Sequence, residues 1–471
     1  MTGSLDTSTD PQVGFRPPGT LDLASALQRY TGPWGARQAA HLARRTGFGP
    51  TPQEVRNLTA LRAEAAVNSI LHPSASDVDL PLYPDAAMLY DRKTRYQTAQ
   101  MWWLDRMLRT KNPFAEKMAL FWHGHFATSM RKVPPALLVR QIRLFRSIGL
   151  GDFRSLLLAV SQDPAMLIWL DNRYNYKAHP NENYAREVME LFALGLGNYT
   201  EDDVKSAARA FTGWTLDRDQ NFVFRPRLHD DGEKTFLGRT GNFTGEDIIG
   251  IIVSQPISQR FIARKLLEFF LYSDPESELT EQLASVYALS GYDIAKTMGT
   301  LLRSNVFYST RAYRSIPKSP VEFMLGLLRY FGAQRIPGGA PSTIGRMGQE
   351  ILAPPSVKGW EGGPTWINTS TLLARFNAVN AFAQNRKPAE QLITPVQIVQ
   401  AAGGMDASRV LQYIASSAVQ DDLTSATRRT LMDYLQATHA PNPTPFGPEN
   451  FEERIRGALA LVLNSPSNQL N

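Results

Sequence analysis

Residues 179–216 read HPNENYAREVMELFALGLGNYTEDDVKSAARAFTGWTL. Val188, Met189, Leu191, Phe192 and Leu194 recur at helical spacing, so the stretch predicts a core-facing helix over 181–195. Asn181, Glu182, Asn183, Arg186, Glu187 and Glu190 lie on that same helix. A polar group on a buried helix costs about 1–3 kcal/mol when left unpaired. Each other, the backbone, a metal or a substrate must therefore satisfy these side chains. The stretch points to a mainly α fold and marks where function is to be sought.

Helical periodicity continues on both sides of it. Thr51 followed by Pro52-Gln-Glu-Val-Arg-Asn-Leu is a helix start with a capping threonine and a proline in the first turn. Residues 152–160, Ile262–Phe270 and Val321–Phe331 carry the same spacing. The one extended signal is Asn221-Phe-Val-Phe-Arg, which predicts a short hairpin near 215–240. Gly/Pro-rich breaks at 334–342 and 439–449 predict long loops. The expected organisation is a disordered lead-in over 1–20, a main helical domain over 21–385 and a C-terminal helical lobe over 386–471.

Composition narrows the function classes. A chain of 471 residues with 43% apolar content can bury a large core. The net charge of +6 arises from 50 cations interspersed with 44 anions, without the concentrated stripe that nucleic acid demands. Cysteine is absent, which excludes disulfides and thiolate chemistry. No apolar run reaches the ~20 residues of a transmembrane helix. No export signal is visible at the N-terminus, so the location expected from the sequence as written is cytoplasmic.

Four constellations could carry chemistry. Asn183, Glu187 and Glu190 fall at i, i+4 and i+7, one stripe suited to a metal or to sugar hydroxyls. Glu182–Arg186 and Arg186–Glu190 are i,i+4 pairs, so mutual charge pairing explains the stripe equally well. His123 and His125 flank Gly124 within Phe121-Trp-His-Gly-His-Phe-Ala-Thr-Ser129. On a regular helix they point about 200° apart, and only a broken segment would bring both to one ion. The third is the polar loop His229-Asp-Asp-Gly-Glu-Lys234, and the fourth the glycine-rich loop Lys358-Gly-Trp360-Glu-Gly-Gly-Pro-Thr-Trp366. Its tryptophans suit stacking on a substrate ring or plugging a core. The chain has no His-Glu-x-x-His helix, no Glu-x-x-His on the 181–195 helix and no Gly-x-Ser-x-Gly elbow.

Taken in order, HLARRTGFG (41–49), FWHGHFATS (121–129), NENYAREVMELFALGLGNYTEDDV (181–204), ARAFTGWT (208–215), HDDGEKTFLG (229–238), IARKLLEFF (262–270) and PPSVKGWEGGPTWI (354–367) resemble the bacterial domain of unknown function 1800 family. The resemblance runs from His41 to Arg375 and implies a mainly α fold. It also implies an exported, periplasmic location and a sulfatase-like partner protein encoded nearby. The polar positions it carries over are His123, His125, Asn181, Glu182, Asn183, Arg186, Glu187, Glu190, His229, Asp230, Lys234, Lys358 and Trp360. Gln255 stands where members commonly have histidine, and Glu361 where the loop usually has proline.

The expectation is a metal-dependent enzyme, a hydrolase or an oxidoreductase, using Zn, Fe or Mn. Its metal ligands would come from His123, His125, His229, Glu187 and Glu190. Glu187, Glu190, Arg186 and Asn183 would act in catalysis, while Trp360, Trp366, Lys358 and Lys234 would contact substrate. The alternative is a non-catalytic helical scaffold that binds the sulfatase-like partner or a glycan, the polar helix serving as an internal network. An enzyme needs three ligands converging on an open position; a scaffold needs only paired charges.

Overall fold

The computed structural model describes residues 22–73, 92–385, 393–436 and 445–471. The 1–20 lead-in and most of the 439–449 loop lie outside the described residues. Among those described, the chain forms 22 α-helices and two small antiparallel sheets, so the fold is mainly α. No described helix is long and apolar enough to cross a membrane.

Helix starts follow local chemistry. Thr51 accepts from the Glu54 backbone while Glu54 reaches back to the Thr51 backbone, a reciprocal cap that opens the Pro52–Ala60 helix. Asp152 and Asp163 cap Phe153–Ser161 and Pro164–Trp169 in the same spirit. The extended signal near 215–240 resolves into two hairpins. Strand β1 (Trp214–Leu216) pairs with β2 (Phe222–Phe224), and β3 (Lys234–Phe236) pairs with β4 (Arg239–Gly241).

At the centre lies the Pro113–His125 helix, buried on nearly every side. Apolar side chains all round explain that position, and its two charges are neutralised where they sit. Glu116 receives Arg106, Arg146 and the Trp103 indole N–H, while Lys117 pairs with Glu322. One continuous apolar core runs from Ala26 to Leu463. Val410, Leu411 and Ile414 of the Ala407–Val419 helix, and Ile455 and Leu459 of Phe451–Asn464, belong to it.

Candidate functional site

The helix expected over 181–195 starts as an α-helix, Glu182–Glu187, and then widens into a π-helical turn, Val188–Ala193. Asn181 caps it, accepting from the Asn183 backbone at 3.0 Å, and is anchored from below by the buried Asn175, whose Oδ1 takes the Asn181 N–H at 2.8 Å. The π turn changes the stripe. A spacing of i, i+4, i+7 lines up only at 3.6 residues per turn, and i→i+5 bonding opens that turn. Glu190 is thereby carried toward Tyr199, whose hydroxyl donates to it at 2.6 Å.

Arg186 sits between two acids, donating to Glu201 at 2.7 and 2.8 Å and to Glu182 at 3.2 Å. The Glu182–Arg186 pair expected from spacing is present; Arg186 takes Glu201 as its second acid. Asn183 is exposed. Glu187, half-buried, makes neither a hydrogen bond nor an ion pair among the described residues. Burial, and then the neighbouring Glu190, raise its carboxyl above the ordinary range, against the opposing pull of Arg186.

The histidines go to three separate settings. The Pro113–His125 helix stays regular through Gly124, so His123 and His125 leave it on different sides. His125 donates from Nε2 to the Phe192 carbonyl at 2.9 Å, tying the central helix to the π turn. A π turn leaves backbone carbonyls without helical partners, and this imidazole satisfies one of them. His123 is fully buried between Trp103 and Trp360, with ring centroids 5.3 and 5.5 Å away and no hydrogen-bond partner at either nitrogen. Burial pushes both imidazoles down to about 3, so both are neutral at pH 7. His229 donates from Nδ1 to the Thr212 carbonyl at 2.9 Å.

Among the described residues, no group of three or more His, Asp or Glu side chains is placed to hold a metal ion. The ligand set expected from His123, His125, His229, Glu187 and Glu190 does not converge, because an unbroken helix turns two imidazoles apart and backbone carbonyls engage two of the three. These residues do not fit a metal centre.

The two loops play unequal parts. Lys234 is buried and donates to the Asp230 and Gly232 carbonyls at 2.6 and 2.9 Å, which makes it a clasp for its own loop. Arg209 forks onto Asp230 at 2.7 and 3.0 Å and fixes that loop to the Glu201–Ala210 helix. In the other loop Trp366 is buried against Gly348, whereas Trp360 is half-buried over His123 and Lys358 is exposed. Gly359 holds φ at +83°, and a Cβ there would lie 2.2 Å from the Gly124 carbonyl oxygen. Only glycine lets this loop settle on the central helix. Tyr199, Glu201, Trp103 and Arg209 complete these contacts, and none was singled out from sequence. Tyr199 had a usable signal, since it immediately precedes the Thr200–Asp203 cap that starts the next helix.

A family model described as "Protein of unknown function (DUF1800)" matches residues 41–470. The chain belongs to this family. The DUF1800 match extends well past Arg375, so it takes in the C-terminal helices that share the core as well as the seven motifs. No curated protein and no solved structure matches the chain.

Proposed function

We propose that this DUF1800 chain is a helical scaffold that binds a partner through the face built by residues 182–201, with Glu187 as its anchor. The supporting observation is the isolation of that carboxylate. Its neighbours Arg186 and Glu190 are paired within the chain, while Glu187 is half-desolvated and lacks a donor. A lysine, an arginine or glycan hydroxyls brought by a partner would supply one. By the family resemblance, the first partner to test is a sulfatase-like protein, met in the periplasm.

A second reading draws on the same carboxyl. A glutamic acid raised toward neutrality is suited to general acid catalysis, so a hydrolase using Glu187, with Trp360 and Lys358 toward substrate, remains the competing proposal. Biosensor titration of the purified sulfatase-like protein and a glycan panel tests the first reading. Saturable binding that weakens at least about tenfold in Glu187→Lys is expected. Equal binding by that variant overturns the assignment. No binding at all, together with hydrolysis of a panel glycan that Glu187→Gln loses, would put the enzyme in its place.

A further inference from the structure

The Ala36–Thr46 helix carries two arginines that face inward. Arg44 and Arg45 are each only 2% exposed. Arg44 donates from Nη1 to Gln420 and lies beside the Tyr313 ring, while its Nε and Nη2 make no hydrogen bond among the described residues. Arg45 reaches Ser315 at 3.0 Å and the Ala312 carbonyl, leaving Nε and Nη1 without partners. Lys318 and Arg375 are buried close by. Lys318 donates to Asn468 Oδ1 at 2.9 Å, and Arg375 donates to the Lys318 carbonyl at 2.8 Å with its Nε left over.

All four cations meet only neutral partners among the described residues. The two nearby acids, Asp422 and Glu322, are hydrogen-bonded by Arg314 at 2.6 Å and by Lys117, and act on these four side chains only at longer range. Arg44, Arg314, Lys318, Gln420, Asn468 and Tyr330 line a cavity of about 30 Å³. A cavity of roughly 10–15 Å³ already holds one water, so this one has room for more than a single water. Burial lowers the Arg44 guanidinium to about 10 and Arg45 to about 9, which leaves both charged at pH 7. Buried positive charge in excess of its counter-charge is strongly unfavourable.

We propose that this cavity is an anion site that holds a small tetrahedral oxyanion, phosphate or sulfate, against Arg44 and Lys318. The planar guanidinium presents its open N–H groups as a fork that suits an oxyanion, and Lys318, held well below the usual lysine range by burial and by the neighbouring arginines, gains its charge as the anion enters. The site stands apart from the 182–201 face, so it holds or fails independently of the scaffold reading.

Ion chromatography of exhaustively dialysed full-length chain, denatured to release its contents, gives one test. Isothermal titration with inorganic phosphate and with sodium sulfate, each against sodium chloride at matched ionic strength, gives the other. The expected result is one phosphate or sulfate per chain, either released or taken up saturably, with affinity at least tenfold weaker in Arg44→Gln and Lys318→Met. The two titrants separate phosphate from sulfate. No released anion and no saturable heat beyond chloride overturns the proposal, as does unchanged affinity in a folded variant. Should both variants unfold, the wild-type measurements decide alone.

Discussion

His123 and His125 stand two positions apart and solve opposite problems. His125 has a carbonyl to serve, while His123 is held by ring faces alone. Replacing His123 by phenylalanine removes no hydrogen bond and keeps the aromatic packing, so stability at pH 7.5 should fall by less than about 1.5 kcal/mol. The same change at His125 strips the Phe192 carbonyl of its donor and should cost about 1–3 kcal/mol. Acid separates them further. With folded-state values near 3, both rings stay neutral in the native chain while the unfolded chain takes up protons below pH 6.5. Their stabilising contribution is therefore complete above pH 6.5 and is lost as pH falls, by about 2 kcal/mol per histidine at pH 5. Urea denaturation at pH 7.5 and pH 5 should show a shallower loss in His123→Phe than in wild type. Identical losses would mean that His123 is protonated in the folded chain. Gly359→Ala has a plainer outcome: a positive φ combined with a backbone clash against Gly124 should cost about 2 kcal/mol or more in the same assay. A cost under about 0.5 kcal/mol would show that the loop does not rest on the helix.

At the scale of elements, what was legible in the sequence was local. The Thr51 cap, the apolar spacing of 262–270 and 321–331 and the weak alternation at 221–225 each mark structure through residues a few positions apart. Spacing also anticipated the Glu182–Arg186 pair. The π turn was not legible, because the buried Phe192 carbonyl within it is answered by an imidazole 67 residues away. The stripe of Asn183, Glu187 and Glu190 presumed an unbroken α-helix, whereas Glu187 and Glu190 are neighbours on either side of the change to π geometry. The next helix shows how far local rules reach. Thr200 and Asp203 cap each other reciprocally at the start of Glu201–Ala210, directly after the Tyr199 that holds Glu190. Thr200→Ala should lower stability by about 1 kcal/mol in urea denaturation. A neutral result would show that the cap contributes nothing to the element.

Across the whole molecule, the separately read constellations are distributed around one core. The central helix reaches the π turn through His125 and the glycine-rich loop through Gly124 and His123, while the 229–235 loop is fastened elsewhere by Arg209. The buried arginines escaped the sequence for a related reason: HLARRTGFG reads as an ordinary cationic helix end until the far part of the chain covers it. That cover has a temporal side. Arg44 and the Gln420 that receives it are 376 residues apart. At about 5–20 residues per second of synthesis, the first helix waits roughly 20–75 s for its lid. An inward face of leucine or phenylalanine would spend that interval exposed and prone to aggregate. Beside the buried Leu42, two arginines keep part of that face hydrated instead, so charges that burden the finished core also shield the growing chain.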